Sequence, residues 1–125
     1  MIDPANAQEL QALLRRHRIT LQHRLGQNFL IDPALRDAVA EAAGTDSRDD
    51  VLEVGAGAGT LTIALAARCR RLVAVEFDRA LIPVLREVVA GRNNIEVVQA
   101  DIPATTWPAA FPTAVRSSRA TSRTT

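Results

Sequence analysis

Three short apolar runs organise the middle of the chain. They lie at residues 51–54, 72–75 and 95–99, and their length and polar flanks are typical of buried parallel strands. Between them, residues 60–69 and 79–90 carry apolar side chains at helical intervals. This alternation predicts an α/β fold in which three parallel strands are joined by helices, which is one half of a doubly wound sheet.

Two further helices are predicted ahead of the first strand. A capping aspartate followed by a proline occurs at residues 3–4 and again at residues 32–33, so helices should run from there to about Arg16 and to a stop at Gly44. Residues 19–30, between these helices, show no clear period and are predicted to form an ordered loop. The residues expected to face the core are Leu10, Leu13, Leu14, Leu35, Val39, Ala42 and Ala43.

The sequence changes character after residue 103. Residues 104–125 contain two prolines and, from Thr113 onward, almost no large apolar residue, so they are predicted to be a disordered or unrelated tail that adds no strand. One flank of the first strand should then be an open edge. The predicted organisation is residues 1–48 for the N-terminal helices and loop, residues 49–103 for a ligand-binding half domain, and the tail.

Three glycines at alternate positions follow the first apolar run. Without side chains, Gly55, Gly57 and Gly59 can adopt positive φ, and a ligand can approach their backbone closely. Thr60 is predicted to begin the next helix, whose free N–H groups would point toward the turn. A tight connection between strand and helix with no ligand remains the alternative for this pattern alone.

Acidic residues end the second and third apolar runs. Glu76 lies 21 residues after Gly55, close to the spacing at which a nucleotide-binding fold places a carboxylate that accepts hydrogen bonds from ribose hydroxyls. Asp101 follows the third run, and Asp78 is predicted to cap the next helix. Because ligands of open α/β sheets bind at the carboxyl ends of the strands, Glu76 and Asp101 should border one crevice.

Three ligand classes suit such a crevice: a dinucleotide, a phosphate, or a nucleoside such as S-adenosylmethionine. The glycines have the spacing G-x-G-x-G rather than the dinucleotide spacing G-x-G-x-x-G, and the chain has no lysine for a phosphate loop. A negative charge on Glu53, just before the turn, would disfavour a pyrophosphate and suit a cationic sulfonium. S-adenosylmethionine is therefore the predicted ligand, with Glu76 on the ribose and Asp101 near the adenine amino group.

Composition excludes several other classes. The 15 arginines and 14 acidic residues give a net charge of +1, so the whole chain has no polyanion-binding character. A local cluster of Arg15, Arg16, Arg18 and Arg24 either contacts RNA phosphates or forms a solvated helix end.

One cysteine and two histidines predict neither a disulfide framework nor a metal site. Without a signal or membrane-spanning pattern, a cytoplasmic location is expected.

Several motifs together make a specific resemblance. They are Gly-Gln-Asn-Phe-Leu at residues 26–30, the glycine stretch at residues 51–62, Val-Glu-Phe-Asp at residues 75–78 and Gln-Ala-Asp at residues 99–101. In this combination the chain resembles the ribosomal RNA adenine dimethyltransferases, in particular their bacterial small-subunit (16S) branch. The macrolide-resistance methyltransferases share the pattern. The resemblance covers roughly residues 10 to 103.

The resemblance implies a Rossmann-like S-adenosylmethionine-dependent methyltransferase fold and assigns roles by position. Asn28 and Leu30 would frame the methionine and sulfonium end of the cofactor, Gly55 would lie beneath it, Glu76 would bind the ribose and Asp101 the adenine. The implied activity is transfer of two methyl groups to N6 of adjacent adenosines in small-subunit rRNA. The implied partner is that rRNA or a pre-30S ribosomal particle.

The chain also departs from the family. It has no tyrosine, and nothing after Asp101 matches the Asn-Leu/Ile-Pro-Tyr/Phe segment that holds the target adenine, so no catalytic residue is assigned. We expect an N-terminal fragment with little or no activity by itself. The alternative is a non-catalytic module that binds S-adenosylmethionine or RNA. A small-molecule methyltransferase is disfavoured by the Gly-Gln-Asn-Phe-Leu motif.

Overall fold

A five-stranded sheet forms the centre of the protein. The computed structural model describes residues 2–19 and 32–103 with their side chains, and residues 113–116 and 121–124 as backbone. The strands are β1 (Asp50–Val54), β2 (Arg71–Glu76), β3 (Ile95–Gln99), β4 (Thr113–Arg116) and β5 (Thr121–Thr124), in the order β3-β2-β1-β4-β5. The three predicted strands are confirmed, and β1, β2 and β3 pair in parallel.

The helices are α1 (Ala7–Arg16), α2 (Pro33–Ala42), α3 (Thr60–Ala66) and α4 (Ile82–Val89), and a short 3-10 helix (Arg79–Leu81) leads into α4. No helix among the described residues is long and apolar enough to cross a membrane. Pro83 lies in the first turn of α4, where the missing N–H costs no helical hydrogen bond. Asp78 caps the 3-10 helix as predicted, accepting from the Ala80 N–H at 2.9 Å.

The N-terminal helix begins later than the sequence predicts. Asn6 is its N-cap and accepts hydrogen bonds from the N–H groups of Gln8 and Glu9. The predicted cap, Asp3, instead accepts from the Ala5 N–H in the preceding turn. Asp3 and Asn6 are both of residue types that cap helices well, and the helix begins at Asn6 because Asp3 is used in the turn before it. The predicted end at Arg16 is confirmed.

The second helix is capped as predicted, because Asp32 accepts from the N–H groups of Ala34 and Leu35. Its buried face differs from the prediction. Ala40 is buried, and Val39 and Ala43 pack against the same cluster, whereas the side chain of Leu35 is 51% exposed. The prediction is therefore correct for Val39 and Ala43 and wrong for Leu35 and Ala42, because the buried face is rotated slightly around the helix axis.

The third helix ends at Ala66, three residues before the predicted end at Cys69. The Asn94 side-chain amide donates to the carbonyl oxygens of Ala66 and Cys69, at 2.8 and 3.3 Å. Carbonyl groups that have no helical partner at this end are therefore satisfied by a residue just before β3. This contact between distant residues leaves no local signal in the sequence of the helix.

The sheet extends beyond the three predicted strands. β4 pairs in parallel with β1, and β5 pairs antiparallel with β4. The predictions that no strand follows β3 and that one flank of β1 is open are therefore wrong. An unpaired flank of a buried strand has a row of free N–H and C=O groups, and four residues of extended chain are enough to pair with it. The tail residues 104–112 and 117–120, predicted to be disordered, lie outside the described residues.

Three apolar clusters hold these elements together. Val51, Leu72 and Ala74 on one face of the sheet pack with buried residues of α2, α3 and α4. Leu52 and Val73 belong to a second cluster on the opposite face. The predicted stripe of α1 is confirmed, since Leu10, Leu13 and Leu14 are all buried against Leu81, Val84 and Val88 of the segment that contains α4.

Replacing Gly59 tests how tightly the glycine turn packs on α4. Its φ is +88°, and a Cβ there would lie 3.0 Å from Leu85 Cδ1 and 3.1 Å from Val88 Cγ1. Gly91 has a similar φ of +87° with nothing within 4 Å. Gly91→Ala should lower the free energy of unfolding by about 1–2 kcal/mol because of its left-handed backbone. Gly59→Ala should lower it by about 1–3 kcal/mol more, because the added methyl group overpacks against α4. Urea unfolding of both variants measures the difference, and equal losses of unfolding free energy would show that the turn does not pack tightly on α4.

Candidate functional site

The strand order creates a crevice beside the glycine turn. From β1 the chain continues to β2 on one side, whereas β4 lies on the other side of β1. This is a topological switch point, where the chain leaves two adjacent parallel strands toward opposite sides of the sheet. Ligands of open α/β sheets bind in the crevice at such a point, outside the carboxyl ends of the strands. Residues 55–59 follow the carboxyl end of β1 and therefore lie at this point.

The glycine turn has the backbone that its sequence predicts. Gly55, Gly57 and Gly59 have φ values of 80°, 61° and 88°. The N–H groups of Gly55 and Ala56 donate to the Val75 carbonyl oxygen at 2.8 and 3.1 Å, which fixes the turn to β2. A Cβ at Gly57 would have no atom within 4 Å, so the space in front of this residue is open.

Glu76 lies against the same turn. Its side chain is buried, and its Oε1 accepts a hydrogen bond from the Gly57 N–H at 2.7 Å. Its Oε2 accepts from the Asp78 N–H at 2.8 Å. The carboxylate therefore joins the end of β2 to the middle of the glycine turn. The sequence spacing predicted that the two lie near each other but gave no sign of this hydrogen bond.

Asp101 lies at the same edge of the sheet. The N–H of Ala100 donates to the backbone oxygen of Glu76 at 3.1 Å, so the segment after β3 runs beside the end of β2. Asp101 itself is exposed. The structure thus brings Gly55, Glu76 and Asp101 to one edge, whereas Asn28 and Leu30 lie outside the described residues.

Phe77 is a residue that sequence reasoning missed. It lies between Glu76 and Asp78, both of which are buried, yet its own side chain is 57% exposed. The Gln99 side-chain amide donates to its carbonyl oxygen at 2.9 Å and holds the backbone there. A large apolar residue between two acidic residues at a strand end was the available signal. Its exposed ring offers a flat apolar surface next to the crevice.

Glu53 differs from its prediction. It is completely buried, and the Thr62 hydroxyl donates to its Oε1 at 2.5 Å. Burial, the largest cause, and the charge of Glu76 raise the pKa of Glu53 to about 8, although the hydrogen bond from Thr62 acts in the lowering direction. The carboxyl is therefore mainly protonated at neutral pH. The predicted negative charge is wrong, because a sequence does not show whether a side chain faces the crevice or the core.

The basic cluster at the end of α1 is partly neutralised. Arg16 forms an ion pair with Glu87 of α4, and His17 Nε2 lies 2.9 Å from the same carboxylate. The hydrogen bond with His17 and the charge of Arg16 hold the pKa of Glu87 below its usual value. Arg15 and Arg18 are exposed, and Arg24 lies outside the described residues. The predicted RNA-contacting surface therefore has fewer available cations than the sequence suggests.

The hydrogen-bond acceptors of the crevice suit a nucleoside. The buried Glu76 carboxylate can accept hydrogen bonds from sugar hydroxyls, and the open space over the Gly57 backbone leaves room for the sugar. Within residues 2–19 and 32–103, no three His, Cys, Asp or Glu side chains lie together so as to hold a metal ion. The cysteine at position 69 is buried, and burial raises the pKa of its thiol to about 11.

Comparisons with known proteins agree with this geometry. Residues 18–117 match the family described as Ribosomal RNA adenine dimethylase. A Ribosomal RNA small subunit methyltransferase A from Pelotomaculum thermopropionicum is 43% identical over 101 residues, which cover 81% of this chain and 34% of that protein. The chain thus spans about a third of the curated relatives it matches.

Solved structures share the fold. The 23S rRNA methyltransferase ErmE superimposes with a TM-score of 0.60 at 33% identity, over 71% of this chain and 47% of that one. A coclaurine N-methyltransferase bound to N-methylheliamine and SAH (S-adenosylhomocysteine) has a TM-score of 0.56 at 30% identity, over 71% of this chain and 28% of that one. The predicted Rossmann-like methyltransferase fold is confirmed.

The raised pKa of Glu53 makes a prediction about stability. Between the usual carboxyl pKa of 4.5 and about 8, the folded chain keeps a proton that the unfolded chain has released. The free energy of unfolding should therefore fall as the pH rises through this window, by on the order of a few kcal/mol, and then level off. Urea unfolding at a series of pH values measures this decline.

Glu53→Gln should remove that decline, since the amide does not titrate and its carbonyl oxygen can still accept from Thr62. The matched control is Glu87→Gln, a substitution in α4 that leaves Glu53 intact and should keep the decline. If the Glu53→Gln profile ran parallel to that of the wild type, Glu53 would not be the titrating group.

Proposed function

Because the chain belongs to the ribosomal RNA adenine dimethylase family, we propose that residues 49–103 are the S-adenosylmethionine-binding half of an rRNA adenine N6,N6-dimethyltransferase. The observation that carries this proposal is the buried Glu76 carboxylate, which lies 2.7 Å from the backbone of an open glycine turn. Residues 1–48 would contribute the N-terminal helices and the loop that carries the Gly-Gln-Asn-Phe-Leu motif.

Each residue of the site has a role in the proposal. Glu76 would accept hydrogen bonds from the ribose hydroxyls, since each carboxylate oxygen keeps a second lone-pair direction beside the N–H bond it already accepts. Asp101 would receive the adenine amino group, and the exposed ring of Phe77 would lie against the base. Gly55, with Asn28 and Leu30, would border the methionine end. When bound, the cofactor supplies the methyl group.

The proposed substrate is small-subunit rRNA, alone or in a pre-30S particle, which places the protein in the cytoplasm. The matched curated relative is named for the small ribosomal subunit. An adenine must leave its stack before N6 can meet a methyl donor, and the enzyme has to hold it there. The chain has no tyrosine and no Asn-Leu/Ile-Pro-Tyr/Phe segment, so the 125 residues should bind cofactor without efficient transfer.

Cofactor binding is tested by replacing Glu76. Glu76→Gln should weaken S-adenosylmethionine binding tenfold or more, because hydrogen bonds to a charged acceptor are worth about 1.5–3 kcal/mol each. Titration calorimetry measures the affinity, and circular dichroism checks that the variant is folded. Glu87→Gln, in α4 at its contact with the end of α1, is the matched control and should bind as the wild type does. Equal binding by both variants would contradict the assignment of Glu76.

Methyl transfer is tested with labelled cofactor and unmethylated small-subunit rRNA. We expect incorporation at N6 of adenine to be at least a hundredfold slower with this chain than with a full-length relative, because positioning of the base accounts for most of the rate. Robust labelling would overturn the expectation of weak activity. Cofactor binding with no transfer to any RNA or precursor particle would favour a non-catalytic binding module.

A further inference from the structure

Glu53 and Thr62 are joined across the base of the glycine turn. Glu53 belongs to β1 and Thr62 to the first turn of α3, and the turn lies between them in the sequence. Both side chains are completely buried and hydrogen-bonded to each other. The pair therefore lies directly under the backbone that would carry the ligand, with Gly55 only two residues after Glu53.

Two side chains of neighbouring elements act on Glu53. From β2, the charge of Glu76 acts on it, and from α3 it receives the Thr62 hydroxyl. The helices α2 and α4 contribute apolar residues to this face, among them Ala40 and Leu85. In β4, Val115 lies opposite Glu53 and Arg116 opposite Val54. Because a nearby negative charge contributes to the raised pKa of Glu53, a positive charge in the crevice would act in the opposite direction and lower it.

Resting on the proposed function, we propose that Glu53 releases its proton when a cationic ligand occupies the glycine turn, so that the sulfonium cofactor binds with proton release and its neutral thioether product does not. S-adenosylmethionine carries a sulfonium charge, and S-adenosylhomocysteine, formed when the methyl group leaves, carries none. A nearby positive charge favours the ionised form of a carboxyl group. The released proton goes to the solvent.

The consequence is selective binding of the charged cofactor. Burial holds Glu53 protonated in the free chain, and its pKa of about 8 lies close enough to neutral pH for a ligand charge to shift the equilibrium. Ionised Glu53 would attract the sulfonium and have no such attraction to the thioether. Loss of the methyl group would therefore weaken binding and return the proton, which favours release of the product. Glu53 is in this sense a positioning residue, which acts through the turn above it.

The test compares affinities for the two ligands at pH 6.5 and 8.5. If the bound sulfonium lowers the pKa of Glu53 by about one unit, the wild-type affinity for S-adenosylmethionine should gain about sixfold over this range relative to Glu53→Gln. The affinity for S-adenosylhomocysteine should show no such gain. The amino group of each ligand ionises over the same pH range whichever protein is used. Comparing the wild type with Glu53→Gln therefore removes its contribution to the pH dependence.

Proton release is measured separately from affinity. Calorimetric titration of the wild type near pH 7.5, in two buffers with different ionisation enthalpies, should show about half a proton released with S-adenosylmethionine in excess of that with Glu53→Gln. Thr62→Val removes the hydrogen bond that favours the ionised carboxylate, and it should move the wild-type pH profile to higher pH. This variant keeps the test decisive even if Glu53→Gln does not fold.

The outcomes separate the two proposals. If the wild type does not bind S-adenosylmethionine at all, the proposed function fails, and this inference fails with it. If the cofactor binds with the same pH profile in the wild type, Glu53→Gln and Thr62→Val, only the role of Glu53 is overturned. An equal pH-dependent gain for both ligands would likewise overturn it, since the sulfonium charge would then play no part.

Discussion

The structure around the glycine turn depends on one buried carboxylate. Glu76 accepts hydrogen bonds from the N–H groups of Gly57 and Asp78, so one side chain positions the turn after β1 and the start of the segment that leads into α4. Buried N–H groups without partners are costly, and this carboxylate satisfies two of them. The same two hydrogen bonds therefore fix the shape of the crevice.

Two glutamates share this small region, and their surroundings differ. Glu53 accepts a hydrogen bond from the Thr62 hydroxyl inside the apolar core, whereas Glu76 accepts from two backbone N–H groups at its edge. Burial in the core, together with the neighbouring charge of Glu76, raises the pKa of Glu53 to about 8. The residue that faces the core is therefore largely neutral at pH 7.

Much of this arrangement could be predicted from the sequence, because it follows from local patterns. The strands β1, β2 and β3 are apolar runs of the right length, and Asp32 and Asp78 cap the helical segments that follow them. What could not be predicted depends on distant contacts. Asn94 ends α3 from another part of the chain, β4 pairs with a flank that its own four residues do not specify, and the burial of Glu53 appears only once α3 packs over β1.

The buried thiol of Cys69 has a practical consequence for studying this protein. It is the chain's one cysteine, it packs in the cluster beneath α3, and its Sγ donates to the Arg71 carbonyl oxygen at 3.5 Å. Because only the thiolate reacts with alkylating reagents, and burial suppresses it, the closed structure should be almost inert to them. Any alkylation then reports transient opening of the segment between α3 and β2. The rate of Cys69 alkylation therefore measures how often that segment opens, without an introduced label.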